Sequence, residues 1–196
     1  MNSLYKSVLI FGPPGSGKGT ISKFLSLSDS IYHVSTGDIF RSLNPASEKG
    51  KMVKSYLDKG LLIPDEVTVD IWSDFMESRI KEGSYGPSKQ YLLLDGIPRT
   101  LKQACLLEKF IKVEYIIVLS IENYSKLIDR IQKRAKIEGR KDDLDVKVLG
   151  KRMDIYLEET MNLLKHYPKN ITFEFNADQK KLEVIRDILV KFASIL

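Results

Sequence analysis

A lysine stands in the most glycine-rich part of the 196-residue chain, the stretch FGPPGSGKGT at residues 11–20. Glycines accept backbone turns that a Cβ would obstruct, so several N–H groups of such a loop can point at one anion. Lys18 adds a full positive charge, and the helix predicted to begin near it adds the partial charge of its N-terminus. An apolar strand, SVLIF at 7–11, runs directly into the loop. This order predicts a polyphosphate site, whose candidate residues are Gly12, Pro13, Gly15, Ser16, Gly17, Lys18, Gly19 and Thr20.

Asp95 is the candidate metal ligand. It ends a predicted strand, YLLLD at 91–95, at the edge where open α/β sheets bind their ligands. A carboxylate there can hold Mg²⁺ beside the phosphates, directly or through water, although it can also cap the following turn. Gly19 stands where the pattern GxxxxGK[ST] has its metal-binding hydroxyl, and Thr20 comes one position later. We therefore expect Mg²⁺ to depend on water and Asp95 more than on the loop.

A basic segment, RIQKRAKIEGRK at 130–141, carries six basic residues against one acidic residue. Arg130 and Arg134 lie about one helical turn apart, Gly139 permits a bend, and Arg140 can return toward the same centre. This arrangement predicts a lid over phosphates. A solvated helix end and a nucleic-acid patch are the alternatives. No aromatic residue interrupts the run to stack on bases, which weakens the nucleic-acid reading.

Two more arginines stand in short motifs. Arg41 follows STGD at 35–38, and Arg99 belongs to DGIPRT at 95–100. A guanidinium fixed by a rigid turn suits bidentate capture of phosphate oxygens, whereas a lone arginine is more often a surface ion-pair partner. From the residues alone both interpretations stay open.

Apolar runs alternate with longer segments of helical period, which predicts an α/β fold. The runs are mostly apolar throughout, as in parallel strands covered on both faces. The exception is 37–88, which holds two or three helices and no convincing strand, and is predicted to be a helical insertion. The predicted strands are 7–11, 31–35, 91–95, 115–121 and 171–175, and the predicted helices include 18–27, 65–81, 100–112, 123–136, 143–166 and 179–195. The last helix is predicted to turn one stripe inward, formed by Leu182, Ile185, Ile188, Leu189 and Phe192.

Composition restricts the class of protein. A net charge of +5, from 31 Lys and Arg against 26 Asp and Glu, is too mixed for a disordered tail or a histone-like protein. The single cysteine, Cys105, excludes a disulfide within the chain, and we expect it to be a packing residue. With no apolar run near the roughly 20 residues of a membrane span and no room for a signal peptide, we expect a cytoplasmic protein.

Four motifs in order, GPPGSGKGT, STGDIFR, DGIPRT and GRKDD, give the chain a resemblance to adenylate kinases and related nucleoside-monophosphate kinases. The similarity runs from about residue 7 to about residue 180. It implies one domain, 1–196, with a five-stranded parallel P-loop sheet and helices on both faces. The implied parts are a core of 1–36, 89–133 and 142–196, an acceptor-nucleotide insertion at 37–88 and a short lid at 134–141.

The resemblance also implies roles for individual residues. Arg130 flanks the donor adenine, backbone near Lys180 contacts the same base, and Arg134 and Arg140 clamp the phosphates. Lys151 stands where the family has arginine. Because RMDIY at 152–156 keeps the family's spacing from arginine to tyrosine, the role is assigned to Arg152, with a one-residue insertion between Asp143 and Gly150. The implied acceptor residues are Thr36, Arg41, Ile63, Gly96, Arg99, Gln103, Arg140 and Arg152, and the implied catalytic residues are Lys18, Arg99, Arg134, Arg140 and Arg152.

The implied reaction is reversible transfer of the terminal phosphoryl group of MgATP to AMP, giving two ADP. Its nucleophile is an ionised phosphate oxygen, so no general base is needed. The short lid implies no structural zinc, and we expect a monomer without nucleic-acid or membrane partners. A UMP/CMP kinase is an alternative, against which Thr100 and Gln103 favour AMP. A non-catalytic nucleotide-binding module would use the same loop without turnover.

Overall fold

Five parallel strands form one sheet at the centre of the computed structural model, which describes residues 4–139 and 143–193. Their spatial order is β2-β3-β1-β4-β5, so β1 is paired on both sides. This confirms the predicted α/β class and the parallel sheet. The strands are β1 (Tyr5–Phe11), β2 (Ile31–Ser35), β3 (Tyr91–Asp95), β4 (Ile111–Ser120) and β5 (Thr172–Asn176).

Both faces of the sheet are covered. Side chains alternate along a strand, so Leu9 and Phe11 of β1 enter one hydrophobic cluster while Val8 and Ile10 enter another. All four are buried, which explains why the strand is apolar throughout. The α-helices of the described residues are α1 (Lys18–Leu25), α2 (Thr36–Ser42), α3 (Glu48–Leu57), α4 (Asp65–Lys81), α5 (Leu101–Leu107), α6 (Tyr124–Glu138), α7 (Val146–Ile155), α8 (Met161–Leu164) and α9 (Lys181–Phe192).

Three helices, α2 to α4, connect β2 to β3. The longest of them, α4, buries Ile71, Trp72 and Met76 against the core cluster that also contains Leu9. Trp72 is fully buried, as expected of a packing residue. The segment between β2 and β3 is therefore held against the sheet by apolar packing as well as by its two ends.

The predicted helix at 143–166 is helical from Val146 to Leu164, but a π-helical turn interrupts its α-helical geometry. Helix α7 ends at Ile155, a π-helical turn follows at Tyr156–Thr160, and α8 completes the segment. Such turns interrupt α-helices often at functional sites, and Tyr156 and Thr160 line the cleft described below. Helix α5 also ends earlier than predicted, because the chain joins the sheet at Ile111, where β4 pairs with Tyr5.

Two packing predictions are wrong. In α9, Leu182 and Leu189 are 75% and 40% exposed, whereas Ile185, Ile188 and Phe192 face the sheet as predicted. Cys105 is exposed on α5. A membrane-crossing helix is absent from the described residues, where each helix is too short or too polar for that purpose.

Candidate active site

The glycine loop folds around its own lysine. Lys18 Nζ donates hydrogen bonds to the carbonyl oxygens of Gly12, at 2.6 Å, and Pro13, at 3.1 Å. Gly17 precedes α1 with φ of 99°, a left-handed conformation that side chains disfavour. The buried Ser16 hydroxyl has no hydrogen-bond partner among the described residues. A buried polar atom without a partner is costly, so this loop is suited to a polar ligand.

Lys18 lies in an electropositive environment. The pKa of Lys18 is lowered to about 8, mainly by burial and also by the charges of Arg99, Arg134 and Arg152, whereas Asp95 acts in the opposite direction. The protein thus holds several cations close together. An anionic ligand would relieve their mutual repulsion, which is the electrostatic property of a phosphate site.

These residues surround one cleft of about 630 Å³, a volume suited to small-molecule ligands. The cleft lies at the carboxyl ends of β1 and β3, as expected for an open α/β sheet. The sequence-predicted residues that line it are Gly12, Gly15, Ser16, Gly17, Lys18, Gly19, Thr20, Arg41, Asp95, Gly96, Arg99, Arg130, Arg134 and Arg152.

Other predicted site residues do not line the cleft. Pro13 is buried and contributes its carbonyl to Lys18. Thr36 is fully buried and donates a 3.4 Å hydrogen bond to the Asp95 carbonyl. Ile63 belongs to the apolar core. Lys180 precedes α9, and its neighbours Gln179 and Lys181 form the wall there. Arg140 and the adjoining part of the predicted lid lie outside the described residues.

Arg99 is held at three points. Its Nε donates to the Gly96 carbonyl at 2.9 Å, and its backbone N–H donates to Gln103 Oε1 at 2.7 Å. Its carbonyl accepts from the Thr160 hydroxyl at 3.4 Å. Gln103 itself is 1% exposed and stands behind the wall. The guanidinium is therefore oriented by the surrounding backbone before any ligand is bound.

Asp143 organises two of the other arginines. This fully buried carboxylate accepts two hydrogen bonds from Arg134, at 2.7 and 2.8 Å, and one from Arg152, at 2.6 Å. Burial would raise the pKa of the Asp143 carboxyl, but the two arginines outweigh it and hold the pKa below its usual value. Sequence reasoning missed this residue as part of the site, although GRKDD places it directly after the basic segment.

Two further arginines enter the cleft with partners of their own. Arg130 Nη1 donates to the Ala177 carbonyl at 2.9 Å, which joins α6 to the segment after β5. Arg41 forms an ion pair with Asp38 one turn earlier in α2, and both residues line the cleft. The cationic wall is thus built from widely separated parts of the chain.

Asp95 could hold a metal ion beside the loop. It lines the cleft, and a Cβ placed on Gly19 would lie 3.7 Å from its Oδ2 atom. The nearby His33 Nε2 is 3.9 Å from the same oxygen; burial lowers the pKa of His33, opposed by Asp95. Within 4–139 and 143–193, no cluster of three or more His, Cys, Asp or Glu could hold a metal. One carboxylate fits Mg²⁺, which is commonly held by one or two carboxylates, water and substrate phosphates.

Comparison with known proteins agrees with this geometry. The family model described as adenylate kinase matches residues 10–172. An adenylate kinase of Flavobacterium psychrophilum is 38% identical over 85% of this chain and 87% of its own length. One from a Cyanothece species is 40% identical over 82% and 80%, and one from Desulforamulus reducens is 34% identical over 94% and 98%. The chain belongs to the adenylate kinase family.

Proposed function

We propose that this protein transfers the terminal phosphoryl group of MgATP to AMP, reversibly, and so interconverts these nucleotides with two ADP. The observation that carries the proposal is the convergence of Lys18, Arg99, Arg134 and Arg152 on one cleft beside a phosphate-binding loop. Two polyanions that must approach end to end repel each other, and fixed cations oppose that repulsion.

The donor site is proposed on the side of the glycine loop. Backbone N–H groups of the loop and Lys18 would hold the ATP phosphates, with Arg130 beside the adenine and backbone near Lys180 against the base. Arg134 and Arg140 would clamp the transferring group. The proposed donor residues are Gly12, Pro13, Gly15, Ser16, Gly17, Lys18, Gly19, Thr20, Arg130, Arg134 and Lys180.

The acceptor site is proposed on the side of β2, β3 and the 37–88 insertion. Arg99 and Arg152 would bind the AMP phosphate, and Gln103 would contact the base. Closure of the insertion and of the 134–141 lid over the core would exclude water, which otherwise would accept the phosphoryl group. The proposed acceptor residues are Thr36, Arg41, Ile63, Gly96, Arg99, Gln103, Arg140 and Arg152.

The reaction requires the protein to position the two nucleotides and to supply positive charge. The attacking oxygen of AMP is already ionised at neutral pH, so the protein has no proton to remove from it. Arg99 is held by Gly96 and Gln103, and Arg134 by Asp143, which fixes two guanidinium groups before substrate arrives. We assign the catalytic role to these groups together with Lys18, Arg140 and Arg152.

Mg²⁺ would be held by Asp95 through water, next to Thr20 and the substrate phosphates. When bound, the ion supplies positive charge to the phosphate oxygens. We further propose that the protein works as a monomer, and in the cytoplasm, where its single cysteine would stay reduced.

The direct test is turnover of the purified protein with MgATP and a panel of AMP, UMP, CMP, GMP and dAMP. We expect ADP formation to be fastest with AMP. Lys18→Ala and Arg134→Ala should each lower turnover by on the order of 10² to 10⁴. Arg186→Ala removes an exposed arginine outside the cleft and should leave turnover unchanged. Near-normal turnover of either cleft variant would contradict these roles. A preference for UMP or CMP would support the pyrimidine alternative.

A further inference from the structure

Asp65, the first residue of α4, connects the insertion to the turn that holds Arg99. One of its oxygens, Oδ1, accepts a hydrogen bond from Gln103 Nε2 at 2.9 Å and another from the Thr100 hydroxyl at 3.0 Å. Nothing in the proposed mechanism uses this carboxylate. We propose that Asp65 is a specificity-determining positioning residue, which locks the amide of Gln103 in the orientation that accepts adenine and rejects a 6-oxopurine. This inference rests on the proposed function.

The donors and acceptors around the Gln103 amide fix its orientation. The backbone N–H of Arg99 can only donate, so it requires the amide oxygen, at 2.7 Å. The Asp65 carboxylate can only accept, so it requires the amide nitrogen. A flipped amide would place oxygen against carboxylate and nitrogen against N–H. Both contacts would be repulsive, and the group is 1% exposed, so water cannot compensate for them.

The locked amide keeps one lone pair and one N–H for a ligand. An amide has two donor hydrogens and two acceptor sites, and the contacts with Arg99 and Asp65 use one of each. Adenine presents an N6–H donor beside the N1 acceptor, which matches the remaining oxygen and N–H. Hypoxanthine presents a C6 carbonyl beside an N1–H, which is the reverse. A freely flipping glutamine would bind both bases, whereas a locked one discriminates.

The position of Asp65 gives this lock a second property. Asp65 is carried by the insertion, while Thr100 and Gln103 belong to the turn and helix that follow β3. The Gln103 amide is therefore held in this orientation only when α4 packs against α5. Gln103 is 1% exposed and does not line the described cleft, so the inference requires that the base reach the amide while the Asp65 contact persists.

The test compares AMP with inosine monophosphate, two acceptors that differ only at positions 1 and 6 of the base. We would measure kcat/KM for both with wild type, Asp65→Asn and Asp65→Ala. Asparagine can either donate or accept, so Asp65→Asn removes one of the two contacts that oppose the flipped amide with little change of shape, while the backbone N–H of Arg99 still opposes it. We expect the ratio of AMP to inosine monophosphate to fall by about tenfold or more, and KM for MgATP to stay unchanged.

Glu66→Gln is the matched control. Glu66 is the next residue of α4 and also joins α5, through an exposed ion pair with Lys102. Its loss should leave the ratio at the wild-type value. An AMP to inosine monophosphate ratio within twofold of wild type in both Asp65 variants would overturn the inference while the proposed function stands. A wild type that phosphorylates no AMP would overturn both.

Discussion

Replacing Asp143 by asparagine should destabilise the ligand-free protein by about 3 kcal/mol. The carboxylate is fully buried and accepts three hydrogen bonds, from Arg134 and Arg152. Removing one partner of a buried ion pair costs roughly 3–5 kcal/mol, and we take the lower end because the arginine side chains are 28% and 20% exposed. For a chain of this size the melting temperature should fall by about 6–12 °C.

Thermal unfolding at several pH values tests this reasoning. The folded pKa of Asp143 is depressed, so its stabilisation is present above the ordinary carboxyl pKa and is lost as pH falls through the folded value. The melting temperatures of wild type and Asp143→Asn should therefore converge on acidification. As a control, Asp74→Asn removes an exposed carboxylate that forms an ion pair with Lys49, and should shift melting by at most about 2 °C. Equal melting of Asp143→Asn and wild type at neutral pH would refute the argument.

Three further predictions concern the loop and the insertion. Because burial lowers the pKa of Lys18 to about 8, below its unfolded value, the stability of wild type relative to Lys18→Met should rise between about pH 8 and pH 10.5 in ligand-free melting experiments. Gly60→Ala should lower the melting temperature by several degrees, because φ is 68° and the new Cβ would lie 2.9 Å from Val148 Cγ1 and its carbonyl. Gly12→Ala should weaken ATP binding, measured by calorimetry, at least about tenfold, because the new Cβ would lie 2.9 Å from the Leu119 carbonyl oxygen and displace the loop. Unchanged affinity would mean that the loop does not hold the nucleotide.

The phosphate loop could be predicted from sequence because its signals are local. The strand, the glycines and the helix that begins at Lys18 are adjacent in the chain, and each follows from residue type. The sheet was predictable for a similar reason, since strands such as Leu92–Leu94 are buried on both faces and therefore lack alternation.

What the sequence could not predict depends on tertiary contacts. The periodicity of α9 includes Leu182 and Leu189, but the sheet covers only the side of the helix that carries Val184 and Ile188. Gln103 and Asp143 show the same limit for polar residues. Whether a polar side chain faces a cleft or is buried behind its wall depends on residues that are distant in sequence. Gln103 is held by Asp65, and Asp143 is held by Arg152.

The place of β1 in the middle of the sheet has a consequence for hydrogen exchange. Its amides are bonded to β3 on one side and β4 on the other, so no opening of an edge can release them while the sheet persists. The amides of β1, the strand that leads into the Lys18 loop, should therefore be among the slowest to exchange in the molecule. The geometry of the loop around its ligand therefore depends on backbone that opens only when the sheet itself opens.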